Sequence, residues 1–305
     1  MKRFGIFIAA ALALSVPGAA WAGTDLYVGN IGAGTIGEYD AATGTAINTS
    51  LISGLTVPYG LALSGGNLFV ASASTSNTIG VYDAGTGAAI NASLISGLNL
   101  PYGLAFSNGD LFVANVLSGT IGEYNATTGA AINTALVTGL SQPTGLAVSN
   151  GDLFVVNNTS STIKEYNAST GAAIKPSLVS GLNDPTGLVI SNGDLFVANS
   201  GNNTIGEYNA TTGVAISTAL VTGLNVPIGL AVSNGDLFVA NYGDNTIGEY
   251  TTAGATVNAS LVTGLDQPAF LAVTNTGSAV PEPASLSLFA AGALGLATLR
   301  RRARR

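Results

Sequence analysis

Asn115, Asn157, Asn199 and Asn241 stand 42 residues apart, and Asn30 and Ser72 continue the series toward the N-terminus. Amides at such a spacing could ring an axis and hold a divalent cation through their carbonyl oxygens. They could also each end a strand and hydrogen-bond their own loop. The second reading is favoured, because a site should break a repeat and no Asp or Glu breaks this one. Two carboxylate series run in step with it. Glu38, Glu123, Glu165, Glu207 and Glu249 each precede a tyrosine. Acid–base pairs need carboxyls about 5–10 Å apart, so one Glu per repeat on an outer strand predicts separate groups on a solvated face. Asp110, Asp152, Asp194 and Asp236 each follow Asn-Gly and are read as turn residues, since no EF-hand-like ligand run surrounds them. The chain has no His and no Cys. The usual base near neutral pH is therefore missing, and thiol chemistry and disulfides are excluded. No catalytic, cofactor-binding or metal-ligating residue is assigned; a weakly held divalent cation is the one cofactor the pattern leaves room for.

These residues ride on a repeat. Pro58, Pro101, Pro143, Pro185, Pro227 and Pro268 step by 41 to 43 residues, and six tyrosines from Tyr39 to Tyr250 keep phase with them. A period near 40 signals a propeller or a solenoid. Within a unit, Gly145-Leu-Ala-Val148 and Leu153-Phe-Val-Val156 flank Ser149-Asn-Gly-Asp152. Asn-Gly between two apolar runs is a hairpin signal, because a type I′ turn needs two positive φ angles. Thr162 to Tyr166 alternates and ends at Asn167-Ala-Ser-Thr-Gly171, and Ala173 to Val179 makes a weaker fourth strand. A β-solenoid would have shorter coils and parallel pairing. The expected fold is all-β: a six-bladed β-propeller of four-stranded antiparallel blades. The repeat starts at the second strand type, Asp25-Leu-Tyr-Val28, and finishes at the first, Phe270-Leu-Ala-Val273. One C-terminal strand should thus join three N-terminal strands to close the ring.

The ends differ from the middle. Residues 1–22 read as a secretory signal, with Lys2 and Arg3, an apolar core, and a small-x-small cleavage site at Ala20 and Ala22. Residues 24–274 form the propeller. It holds 15 of the 16 acids but only Lys164 and Lys175 among the bases. Such a balance argues against nucleic acid, whose phosphates need Lys and Arg, and against anionic lipid surfaces. After a linker, 275–280, come Val280, Pro281, Glu282 and Pro283, an apolar run from Ala284 to Leu299, and a basic stop of Arg300, Arg301, Arg302, Arg304 and Arg305. The run is expected to be a C-terminal apolar helix, slightly short of the roughly 20 residues of a full membrane span. Its basic end would stay cytoplasmic.

This tail, residues 281–305, resembles the PEP-CTERM sorting signal of Gram-negative bacteria. The resemblance implies transient inner-membrane anchoring, processing by an exosortase-type enzyme, release to the cell surface or outside, and a link with exopolysaccharide. The repeat, with Pro-x-Gly-Leu-Ala-Val, Leu-Phe-Val-Ala-Asn and Ile-x-x-Tyr, is similar to NHL-type and gluconolactonase-like propellers. It lacks the basic residue that NHL units commonly carry after the second strand; Lys164 is the nearest equivalent.

Strand alternation puts the loops before each Gly-Leu on one face with those after each Leu-Phe-Val-Ala. Blades differ mostly there, and variable loops on a constant scaffold are where binding sits. The candidate binding face comprises Tyr59, Tyr102, Asp184, Asn115, Asn157, Asn199, Asn241, Tyr242 and Asp244. The leading expectation is a non-enzymatic, exported binding or scaffold propeller that serves as a matrix or adhesion component, with an exopolysaccharide or surface glycan as its partner. The alternative is a metal-assisted, lactonase-like hydrolase. A third reading is a carbohydrate-binding module in which Tyr59 and Tyr102 stack on sugars.

Overall fold

The computed structural model describes residues 24–274. The segment expected to be a secretory signal, the expected linker, and the sorting tail with its expected apolar helix lie outside them. The described residues form 24 strands in six four-stranded antiparallel sheets, the expected propeller.

The third blade shows how the sequence makes the unit. Its strands run from the axis outward as Pro101–Ser107, Asp110–Asn115, Thr120–Asn125 and Ala131–Val137. Between the first two, Asn108 and Gly109 have φ of 53° and 89°, the pair of left-handed residues that a type I′ hairpin requires. Between the last two, the Asn125 side-chain oxygen accepts N–H bonds from Thr127 at 3.2 Å and Thr128 at 2.9 Å. Gly129 then takes φ 72°, and a Cβ on it would lie 2.1 Å from the Leu94 carbonyl oxygen of the second blade. Only glycine meets both demands.

The second strand of each blade is buried on both faces, which explains its unbroken apolar run. Leu111 and Val113 pack toward the second blade with Phe69, Ala71 and Ile79. Phe112 and Ala114 pack toward the fourth with Leu146, Leu153 and Tyr166. Six such clusters, one per seam, make up the core. The ring closes as expected. Pro268–Val273 pairs with Asp25–Asn30, setting Leu26 opposite Val273 and Val28 opposite Leu271. Asp25 N–H donates to Thr274 Oγ1 at 2.7 Å, and Thr274 N–H to the Asp25 carbonyl at 2.9 Å.

The outer strands enter the core only at their last residues, Leu136 and Val137 in the third blade. Ile132, on the outer strand of the third blade, is 53% exposed, whereas Leu111 is 0% exposed. Leu111→Ala should therefore cost about 2–5 kcal/mol, and Ile132→Ala no more than about 0.5 kcal/mol. Denaturant unfolding of both variants checks this; similar losses would contradict a core confined to the seams.

Candidate functional site

The face with the variable loops is built on an unusual backbone. The residue before each inner-strand proline is left-handed in all six blades: Val57 at φ 50°, Leu100 at 56°, Gln142 at 51°, Asp184 at 46°, Val226 at 49° and Gln267 at 55°. A residue before proline normally stays extended, and a β-branched one at positive φ is strained. An accepted bond at the carbonyl in all six, and a donated one at the N–H of Leu100, Val226 and Gln267, enforce the geometry. The Leu100 carbonyl accepts from Val116 N–H at 3.2 Å and the Val226 carbonyl from Tyr242 N–H at 3.1 Å. Leu100 N–H donates to Asn77 Oδ1 at 3.1 Å and Val226 N–H to Asn203 Oδ1 at 2.8 Å, each asparagine belonging to the preceding blade.

The asparagine series belongs to the same loops. The Oδ1 of Asn115, Asn157 and Asn199 accepts the N–H of Asn99, Ser141 and Asn183 at 3.0, 3.1 and 3.3 Å. These side chains are buried, so they end strands and tie down the loop entering their own blade. Asn241 breaks the pattern, its buried Oδ1 having no partner. Asp184 and Asp244 are exposed. Asp244 accepts from Asn225 Nδ2 at 2.6 Å, and the Asp184 carbonyl accepts from Ser200. Among the described residues no group of three or more His, Cys, Asp or Glu comes together.

The structure does bring the candidate aromatics together. Tyr59 and Tyr102 stack with ring centres 3.8 Å apart and planes at 22°. Phe270 from the first blade meets Tyr102 edge-on at 6.4 Å. It stands where the other five inner strands carry Gly60, Gly103, Gly145, Gly187 and Gly229, a replacement that sequence analysis passed over although it breaks the repeat. The Tyr102 phenol is pushed far up by burial, then by the neighbouring Tyr59 and Tyr242 phenols. Blades one, two, three and six thus converge over the axis. The opposite arc is stitched by hydroxyls: Thr144 Oγ1 donates to the Thr186 carbonyl at 3.0 Å, and Thr186 Oγ1 to the Ile228 carbonyl at 3.2 Å.

The glutamate series corrects one expectation. Glu38, Glu123, Glu165 and Glu249 are buried, and Glu207 is half-buried. They sit on the third strand, opposite the Phe position of the second: Glu123 faces Phe112 and Glu249 faces Phe238. Directly opposed residues share a sheet face, so the carboxylates point into the seam with those rings rather than to a solvated face. Burial raises the Glu38, Glu123, Glu207 and Glu249 carboxyls, and the nearest aspartate, Asp25, Asp110, Asp194 or Asp236, raises them further. Glu38 receives the Tyr27 hydroxyl at 3.3 Å, and Glu165 pairs with Lys175 Nζ at 2.5 Å.

Comparison with known proteins is consistent with this architecture. Residues 279–302 match the PEP-CTERM protein-sorting motif, and residues 182–208 match the NHL repeat. The chain is thus a six-bladed propeller with an NHL repeat and a C-terminal sorting motif. No curated protein matches it. A chain in the crystal structure of a nidogen/laminin complex superposes with a TM-score of 0.70 at 16% identity, over 82% of this chain and 98% of that one. A computationally designed protein, Ika8, superposes with a TM-score of 0.50 at 20% identity, over 81% and 74%. At these identities the likeness is one of fold.

Two outcomes follow. Val226→Asn, which suits the left-handed backbone, should stabilise the protein by about 1 kcal/mol, read as a raised melting temperature; a lowered one would mean that the position is not strained. Glu123→Gln should act through pH. A carboxyl raised in the folded state favours folding while protonated, and that contribution is lost as pH rises. The variant should therefore be more stable than the parent at neutral pH, the advantage vanishing below about pH 4, where glutamate is protonated in both states. Unfolding at the two pH values measures it.

Proposed function

We propose that this protein is an exported, surface-associated propeller that binds a neutral glycan at the channel mouth. The observation that carries the reading is the Tyr59–Tyr102 stack with Phe270 against it, the place where the six-fold repeat is broken by aromatic rings. Such rings give rigid, amphipathic contact area at low entropic cost. Among the described residues, 15 acids stand against two bases, a field that repels polyanions and suits an uncharged polymer. The sorting motif supports a surface destination. In this reading the signal segment is cleaved after Ala22. The apolar tail then anchors the chain, until an exosortase-type enzyme cuts near Pro281-Glu282-Pro283. The rival, a metal-assisted lactonase-like hydrolase, needs a carboxylate in the channel. The residues that follow the six inner-strand prolines are Tyr59, Tyr102, Thr144, Thr186, Ile228 and Ala269, none of them acidic.

Replacing both Tyr59 and Tyr102 by Ala should weaken binding to the host's exopolysaccharide about tenfold or more, as expected for central aromatic anchors. Unchanged retention in affinity electrophoresis would sink the glycan reading. Replacing Pro281, Glu282 and Pro283 by Ala should leave an uncleaved, membrane-retained chain, whereas normal release would refute the processing route.

A further inference from the structure

The seam where the sixth blade meets the first contains a group of oxygens that nothing above uses. Ser233 is 4% exposed and its Oγ has no hydrogen-bond partner. Its counterparts Ser107, Ser149 and Ser191 are half-buried, and Ser64 is exposed. Register fixes where its neighbours point. Ser233 lies opposite Asp236 across the hairpin, Asp236 is two residues from Phe238, and Glu249 lies opposite Phe238. Opposed residues and residues two apart share a sheet face. The hydroxyl and both carboxylates therefore leave the sixth blade on one side. That side is turned to the first blade, because Phe238 packs there with Leu26, Tyr39 and Ala41. Ser233, Asp236 and Glu249 line one half-open cavity of about 170 Å³ with Asn234, and Thr24, Ala41 and Ala42 of the first blade form its other wall.

Two other blades show what such a carboxylate lacks. In the first, Glu38 has the Tyr27 hydroxyl. In the fourth, the register position opposite Glu165 is Lys175, whose ammonium sits on it. In the sixth, the same position is Asn258, and its Oδ1 is committed to Ser260 N–H at 3.1 Å. Two carboxylates on one face, a buried free hydroxyl and a cavity with room for an ion and several waters match a hard divalent cation, which takes oxygen ligands and completes its shell with water.

We propose that the seam between the sixth and first blades is a calcium site, with Asp236, Glu249 and Ser233 Oγ as protein ligands. A cation there does for Glu249 what the Lys175 ammonium does for Glu165. It also ties the hairpin of the sixth blade to the start of the first, beside the strand pair that closes the ring. The site is independent of whatever the channel mouth binds.

Equilibrium dialysis of the intact protein against radiolabelled calcium tests it. About one ion per chain should bind, in the range of about 10⁻⁴–10⁻³ M typical of extracellular modules, and melting should shift upward with calcium. Glu249→Gln and Asp236→Asn should each abolish binding. Asn258→Lys, which supplies the missing ammonium, should abolish binding too, yet melt with no dependence on calcium. Glu165→Gln, in the blade that has its own lysine, should leave binding unchanged. Failure of the parent protein to bind calcium, or binding that survives both Glu249→Gln and Asp236→Asn, overturns the proposal; circular dichroism establishes that each variant is folded.

Discussion

A blade of this protein cannot bury itself. Its second strand presents Leu and Val to one side and Phe and Ala to the other, so each blade needs a neighbour on both sides. An open row would leave two apolar faces and two sheet edges in water, a template for aggregation. Closure by Pro268–Val273 on Asp25–Asn30 removes both at once. There is no disulfide to do it instead. The seam must also repeat, because every blade fits both its predecessor and its successor. This constraint holds the side chains of the seams nearly constant, and leaves the loops of one face as the place where sequence can change.

The same seams hold a polar group that a designer would avoid. A carboxylate opposite a buried ring recurs in five blades, facing Phe in four and Tyr27 in the first, and the second blade carries Val81 there instead. Taking such a charge out of water is costly without a partner, and the raised carboxyls of Glu38, Glu123, Glu207 and Glu249 register that cost. The blades answer differently, with a tyrosine hydroxyl in the first and an ammonium in the fourth. A repeat carries its difficulties along with its core, and individual blades relieve them with different residues.

Strands, hairpins and the closing pair were legible because their signals are local: Asn-Gly between apolar runs, a fixed period, and a repeat that starts and stops at different strands. The structural role of the asparagines was legible for the same reason. Burial of the glutamates was not. Ile-Gly-Glu-Tyr alternates as a half-exposed strand would, but a third strand in a propeller has a blade on each side, so its apparent polar face is also covered. The left-handed residues before proline were not legible either, since local preference points the other way and only bonds to the neighbouring strand and blade reverse it. Tyr59 and Tyr102 could be named from the sequence as variable-face aromatics. Their contact depends on two inner strands meeting at the axis.

Those left-handed residues bear on recognition. Valine, leucine, glutamine and aspartate all adopt nearly the same φ at this position. Their own preferences differ widely, so the conformation is set by the scaffold and not by the side chain. A strained position costs about 1–3 kcal/mol and persists only where the surroundings over-determine it; here an accepted N–H bond in every blade, and in some a donated one, do so. The result is a backbone that stays put whichever side chain it carries. A surface that must change what it binds without refolding needs that property. It places the variable residues of this face on a rigid rim around the aromatic mouth, where a substitution changes the exposed surface and leaves the ring beneath it unchanged.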